Sequence, residues 1–239
     1  GGFSVPTNTD DVYFDANSGT GTYTVTVASG NRPCLNFDTT GFTGEISGSS
    51  QNSTVQIFGD AILGSTGTFA PVQLPVVTFI GNNVTHNITS NGQSWGKVNF
   101  SGNANSSFVL QDNFLAYPAD SALITLNAGT LDANGYNFTC RKFITASATT
   151  KVINMGSGVW EITGGDDTSG GTQVNVWDVS VGPLTLNKGT ANIYLSRPAG
   201  VFRDFHTGGF DYNKLTIGGV FGANGATKII GGGSFTEIA

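Results

Sequence analysis

Apolar and polar residues alternate along this chain in short bursts, and the bursts are broken by glycine and asparagine. Leu123, Thr125 and Asn127 fall on one side of such a burst and Ile124 and Leu126 on the other, which is the two-residue period of a strand. Asn134-Gly135 closes the stretch with the positive-φ backbone that a tight corner needs. Residues 122–135 therefore predict a short strand, a corner containing glycine, and a second short strand. No window of 11 or more residues carries a clear 3.6-residue apolar period. The pattern predicts a chain that is almost all β.

The same phrase returns down the chain. Lys151-Val-Ile-Asn-Met-Gly and Leu184-Thr-Leu-Asn-Lys-Gly repeat it, and the segments opening at Lys214 and Lys228 are looser copies. An upstream variant runs Gln56-Ile-Phe-Gly, Thr78-Phe-Ile-Gly and Asn99-Phe-Ser-Gly, with Gly59, Gly81 and Gly102 spaced 22 and 21 residues apart. Counted at Leu126, Ile153, Leu186 and Ile217, the later copies lie 27, 33 and 31 apart. A strand-plus-corner unit recurring at such intervals marks a solenoid, in which each unit covers the open face of the one before. The expected fold is a right-handed parallel β-helix forming a single elongated domain. Residues 1–20 read as a capping segment and residues 21–239 as the helix, within a longer polypeptide. The alternative all-β fold, a β-sandwich, has about seven strands and no recurring phrase.

Composition sharpens this picture. Glycine supplies 35 of 239 residues and charged residues only 11%. The net charge is −6, and the ten Lys and Arg are scattered, so the basic stripe that a phosphate backbone requires is missing and nucleic acid is not an expected partner. No run approaches the 18 apolar residues of a membrane-spanning helix. Cys34 and Cys140 each sit in a strand-like context 106 residues apart. In a solenoid that separation spans several rungs, beyond disulfide reach, so both are expected as buried free thiols.

Candidate chemistry is sparse. Asn8-Thr-Asp10 and Gly165-Asp-Asp167 resemble two pieces of a polygalacturonase-type site, with His206 as a third member. The two pieces are 156 residues apart here, and the remaining pieces of that site are missing, so solvated acidic turns are the better reading. The segment 164–171 resembles a single imperfect copy of a calcium-binding nonapeptide. His86 and His206 lie 120 residues apart with no ligand-spaced neighbour, so no metal site is expected. Thr22, Thr24 and Thr26 form a local threonine ladder that does not continue on other rungs. Among the aromatics, Trp160 and Trp177 fall on alternations that bury them. Trp95, in the turn-like Asn91-Gly-Gln-Ser-Trp-Gly96, is the candidate for a contact surface, with Tyr212, Asp166 and Asp167 beside it. No catalytic residue and no cofactor is expected.

Val5-Pro-Thr-Asn-Thr-Asp-Asp-Val-Tyr-Phe-Asp-Ala-Asn-Ser18, Thr24 to Val27, Cys34 to Asp38 and Leu126 to Cys140 together resemble a group of Gly/Thr/Asn-rich β-solenoid proteins. Such proteins occur in bacteriophage particles and among large bacterial surface proteins. The resemblance implies a structural, non-enzymatic component of a virion: a fibre, spike, tail or capsid-decorating β-helix. Its implied partners are further copies of the chain (a trimer by analogy), other virion proteins and a host-surface glycan, with no membrane span. Two other readings are a bacterial surface adhesin that binds glycan or protein, and a polysaccharide depolymerase.

Overall fold

A computed structural model describes residues 5–18, 23–69, 74–116, 123–165, 174–196, 202–218 and 226–239. It is a parallel β-solenoid of about eight turns. Every strand pair in it is parallel, and each turn of the coil visits three faces in order. The described residues contain no helix, and so none long and apolar enough to cross a membrane.

The first face stacks Gly30–Cys34, Ser53–Ile57, Val76–Phe79, Lys97–Ser101, the first half of Leu123–Asp132, Lys142–Thr145, Asn175–Asp178, Phe202–His206 and Ala226–Ile230. The second face runs from Val12–Tyr13 through Thr85–Thr89 and the second half of Leu123–Asp132 to Leu184–Asn187. Pairing thus begins at Val12, which lies opposite Phe37 inside the segment read as a cap. The third face is made by a three-stranded sheet, Thr24–Val27 to Thr68–Phe69, and a seven-stranded one, Ser94–Trp95 to Phe235–Ile238.

The recurring phrase is the stack itself, with one correction. Gln56, Thr78 and Asn99 are register partners on the first face, as the glycine spacing predicts. Among the later copies, Ile153 and Leu186 are partners on the second face, but the residue above them is Leu131 and not Leu126. Leu126 lies on the first face opposite Thr145, and Ile217 lies on the third opposite Leu195. One phrase serves three faces because each face demands the same thing: alternate side chains inward, then a corner.

Burial drives the stack. Val55, Val77, Val98, Ile124, Phe143, Trp177 and Phe205 form one inward column of register partners on the first face. An aromatic path continues through the interior, from Phe14 by way of Phe37, Phe69, Trp95, Phe114, Phe138, Trp160, Trp177 and Phe205 to Phe235. No step in it exceeds 6.4 Å between ring centroids, inside the range where aromatic pairs attract. Cys34 and Cys140 are buried free thiols. Burial, with the charge of Asp11 adding to it, pushes the Cys34 thiol up to about 12, and burial raises Cys140 as well.

The corners hold by side-chain ladders. At one of them Asn36 donates to Asp11 at 2.8 Å, the backbone of Asp60 donates to Asn36 at 2.7 Å, and the backbone of Asn87 donates to Asp60 at 2.7 Å. Between the second and third faces, Asn134 (φ 50°), Gly135 (φ 81°), Gly156 (φ 70°) and Gly189 (φ 54°) turn the chain in consecutive rungs. They pack backbone on backbone: a Cβ on Gly156 would lie 2.7 Å from the Gly135 nitrogen.

Candidate functional site

The structure buries two of the candidate residues, Trp95 and Tyr212, on different rungs. Trp95 is wholly buried on the strand Ser94–Trp95, stacked on Phe114 at 6.2 Å, and its Nε1 donates to Ser90 Oγ at 2.9 Å. It is core, not contact surface, because its rung needs an aromatic at that point of the path. Tyr212 is likewise buried: its hydroxyl donates to the Thr207 carbonyl at 2.9 Å and accepts from Trp177 Nε1 at 3.1 Å. Burial raises its pKa, and the Trp177 bond offsets part of that rise. Trp160 and Trp177 are buried as the alternation predicts. Asp166 and Asp167 lie outside the described residues.

The other acidic piece is local. Asp10 is exposed and accepts from the Thr7 hydroxyl at 2.6 Å and the Thr7 amide at 2.8 Å, bonds that hold its pKa below the usual carboxylate value. Among the described residues no three His, Cys, Asp or Glu side chains converge as metal ligands would. Lys151 is buried, yet its Nζ is engaged with the carbonyls of Ser147 at 2.9 Å and Thr149 at 2.8 Å.

Two concavities stand out. One is the N-terminal mouth of the core, about 280 Å³, lined by Val12, Phe14, Val25, Val27 and Phe37 with Arg32 and Pro33. Arg32 is the register partner of the inward Val55, so a cation takes the apolar column's place on the first rung. Its guanidinium donates to the Ser29 carbonyl at 2.6 Å and the Asn31 carbonyl at 3.1 Å.

The other is an outward groove of about 680 Å³ on the first face, where Lys142–Thr145 meets Asn175–Asp178. The step between these rungs is 34 residues from Phe143 to Trp177, against 19 from Leu123 to Lys142. Phe143 and Trp177 point inward and stack at 5.0 Å, which turns their neighbours Lys142, Ile144 and Asp178 outward. A register shift between Asn175 and Trp177 re-aims the start of the second strand. Asp178 is held from two sides. Its Oδ1 accepts from the Ser180 amide at 3.0 Å and the Ser180 hydroxyl at 2.6 Å, and its Oδ2 accepts from Asn175 Nδ2 at 3.2 Å. His206 follows as its register partner on the next rung. Leu123, Ile144, Val174 and Val181 add apolar surface. In the sequence, Lys142-Phe-Ile-Thr carries the alternation that sets Ile144 outward, whereas Asn175-Val-Trp-Asp has two adjacent apolar residues, both buried, and shows no alternation that places Asp178. Nothing in the sequence says that the two strands are neighbours, because the long step breaks the spacing.

The class defined by this geometry is the parallel β-solenoid. Comparison with protein-family models, with curated proteins and with solved structures gave no match.

Proposed function

We propose that the chain is a non-enzymatic structural module of a bacteriophage particle, a fibre, spike, tail or capsid-decorating β-solenoid. The observation that carries the reading is the aromatic path from Phe14 to Phe235, which ties every part of the described coil into one dense column. Such a column spends ten of the chain's 26 aromatic residues on stiffness, which is what a particle component needs. The N-terminal resemblance to virion solenoids supplies the kind of particle. Partners in this reading are further copies of the chain and neighbouring virion proteins.

The test is peptide mass spectrometry on purified virus-like particles and on the cell-envelope fraction of the same culture. Enrichment in the particles is the expected result. Enrichment in the envelope fraction would overturn the reading and put a surface adhesin in its place.

A further inference from the structure

The second face stops before the other two. The first face continues past Asn175–Asp178 with Phe202–His206 and Ala226–Ile230, and the third continues past Asn192–Leu195 with Tyr212–Ile217 and Phe235–Ile238. The second face ends at Leu184–Asn187, which pairs with Lys151–Asn154 alone among the described residues. In that rung the chain takes thirteen residues, 179–191, to pass from the first face to the third. In the next two rungs it takes five, 207–211, and four, 231–234. Gly208 (φ 64°), Gly209 (φ 82°), Gly231 (φ 101°) and Gly233 (φ 112°) supply the backbone shapes of these two bypasses. The bypasses are also tied to each other, since the Ser234 amide and hydroxyl donate to Asp211 Oδ1 at 3.0 and 2.8 Å. The missing strands are therefore built into the fold. They leave a ledge two strand spacings high, about 9.6 Å.

The ledge presents its backbone. In a parallel ladder successive residues turn their N–H and C=O groups to opposite neighbours. The Lys151 and Met155 amides donate to the carbonyls of Pro183 at 3.0 Å and Asn187 at 2.9 Å. Pro183, Thr185 and Asn187 thus face the strand below, and Leu184 and Leu186 turn N–H and C=O to the open side. The side chains say the same. Phe108, Leu131 and Ile153 are fully buried in register beneath Leu186, yet Leu186 and Leu184 are only half-buried. Connections from the third face to the first range from single residues, Gly96 and Arg141, to the twelve between Ile162 and Asn175, and all of them begin and end away from the second face. The edge also lacks a guard. The outermost first-face strands carry Arg32 with Pro33 and Lys228, and the last third-face strand carries Glu237, whereas Leu184-Thr-Leu-Asn holds neither proline nor charge.

Unpaired N–H and C=O groups at strand spacing above two inward leucines select a strand. An extended polypeptide matches the spacing of the backbone groups, and its alternate side chains match the leucines. A helix satisfies its own backbone and offers such an edge nothing. We infer that the ledge binds an extended peptide segment of another protein. The segment pairs with Leu184–Asn187 as the next strand of the second face, with apolar residues at alternate positions packing on Leu184 and Leu186. The inference does not rest on the particle assignment, since that test reads location and this one reads binding.

The experiment titrates the purified chain into a fluorescein-labelled synthetic peptide in which valine and threonine alternate over six positions between serine flanks, and reads anisotropy. Binding is expected. Two further peptides carry N-methyl groups on all the valines or on all the threonines, which removes the donors from one edge of the strand and leaves the other edge intact. One of the two is expected to lose affinity about tenfold or more and the other to keep it. In the chain, Leu186→Pro removes a donor from the open side, where a strand tolerates proline, and is expected to weaken binding about tenfold. Val109→Arg, outward on the same face three rungs away, is expected to leave binding unchanged. Circular dichroism and thermal melting establish that each variant is folded. No rise in anisotropy, equal affinity for the two methylated peptides, or equal binding by folded Leu186→Pro and Val109→Arg would each overturn the inference. If Leu186→Pro does not fold, the methylated pair decides alone.

Discussion

His86 is wholly buried, with its ring stacked on Phe108 at 5.1 Å and edge-on to Phe79 at 5.7 Å. Nδ1 contacts the Gly59 carbonyl, so that nitrogen carries the proton, and Nε2 has no partner among the described residues. Burial lowers the pKa of His86; the Gly59 bond and the charge of Asp60 oppose that shift without cancelling it. The folded value thus lies below the unfolded 6.5, and between the two the unfolded chain binds more protons. The stability this residue confers is full above pH 6.5 and falls as the pH drops toward the folded value. Thermal melts from pH 7.5 to 5.5 are expected to show a smaller loss of Tm in His86→Phe than in the unmodified chain; equal slopes would assign the pH dependence elsewhere. At this scale the sequence is legible where alternation is long and opaque where it is short. Trp160 sits in the four-residue strand Val159–Ile162 and betrays its burial, whereas Trp95 sits in a two-residue strand between glycines, and its context reads as a turn. Tyr212 begins a strand after Gly208 and Gly209, and its inward aim is fixed by Trp177, 35 residues away in sequence.

Corners and strands divide the work of each rung differently. A strand contributes apolar burial, and a corner contributes a backbone shape that few residues adopt. Gly156 and Gly92 make the contrast measurable. Both have positive φ, 70° and 74°, but only Gly156 has the neighbouring rung's backbone against it, while Gly92 has nothing within 4 Å of an added Cβ. Gly92→Ala is expected to cost about 1 kcal/mol, the strain of a left-handed alanine. Gly156→Ala is expected to cost about 2 kcal/mol or more, because strain and contact with Gly135 add. Urea unfolding of the two variants checks this, and equal midpoints would show that the glycine stack carries no packing constraint. The strand-and-corner unit was readable because both parts have strong residue signatures. Which face each copy joins was not, since Leu126, Ile153 and Ile217 stand in equivalent phrases on three different faces.

For the molecule as a whole, the described stack has an outer rung at each end, and the N-terminal one carries an unusual strand. Among the described residues its first-face strand, Gly30–Cys34, is paired on one side only, with Ser53–Ile57. Pro33 removes a backbone donor from that strand, and Arg32 puts a charge where an added strand would meet an apolar residue, two devices that blunt a sheet edge. Replacing both, Arg32→Val with Pro33→Val, is expected to produce larger species in sedimentation velocity at concentrations where the unmodified chain is unchanged. Identical sedimentation would show that the edge needs no guard. The overall architecture was legible because a repeat is a global signal written locally. The groove was not, because it depends on the 34-residue step that brings Ile144 beside Asp178. The uneven third-to-first corner has a broader consequence. A coil whose register is kept by two ladder-bound corners can accept new sequence at the remaining one at little thermodynamic cost, since doubling a loop adds only about 0.6 kcal/mol. The scaffold can therefore hold its shape over many generations while the surface it shows the outside world is rewritten one rung at a time.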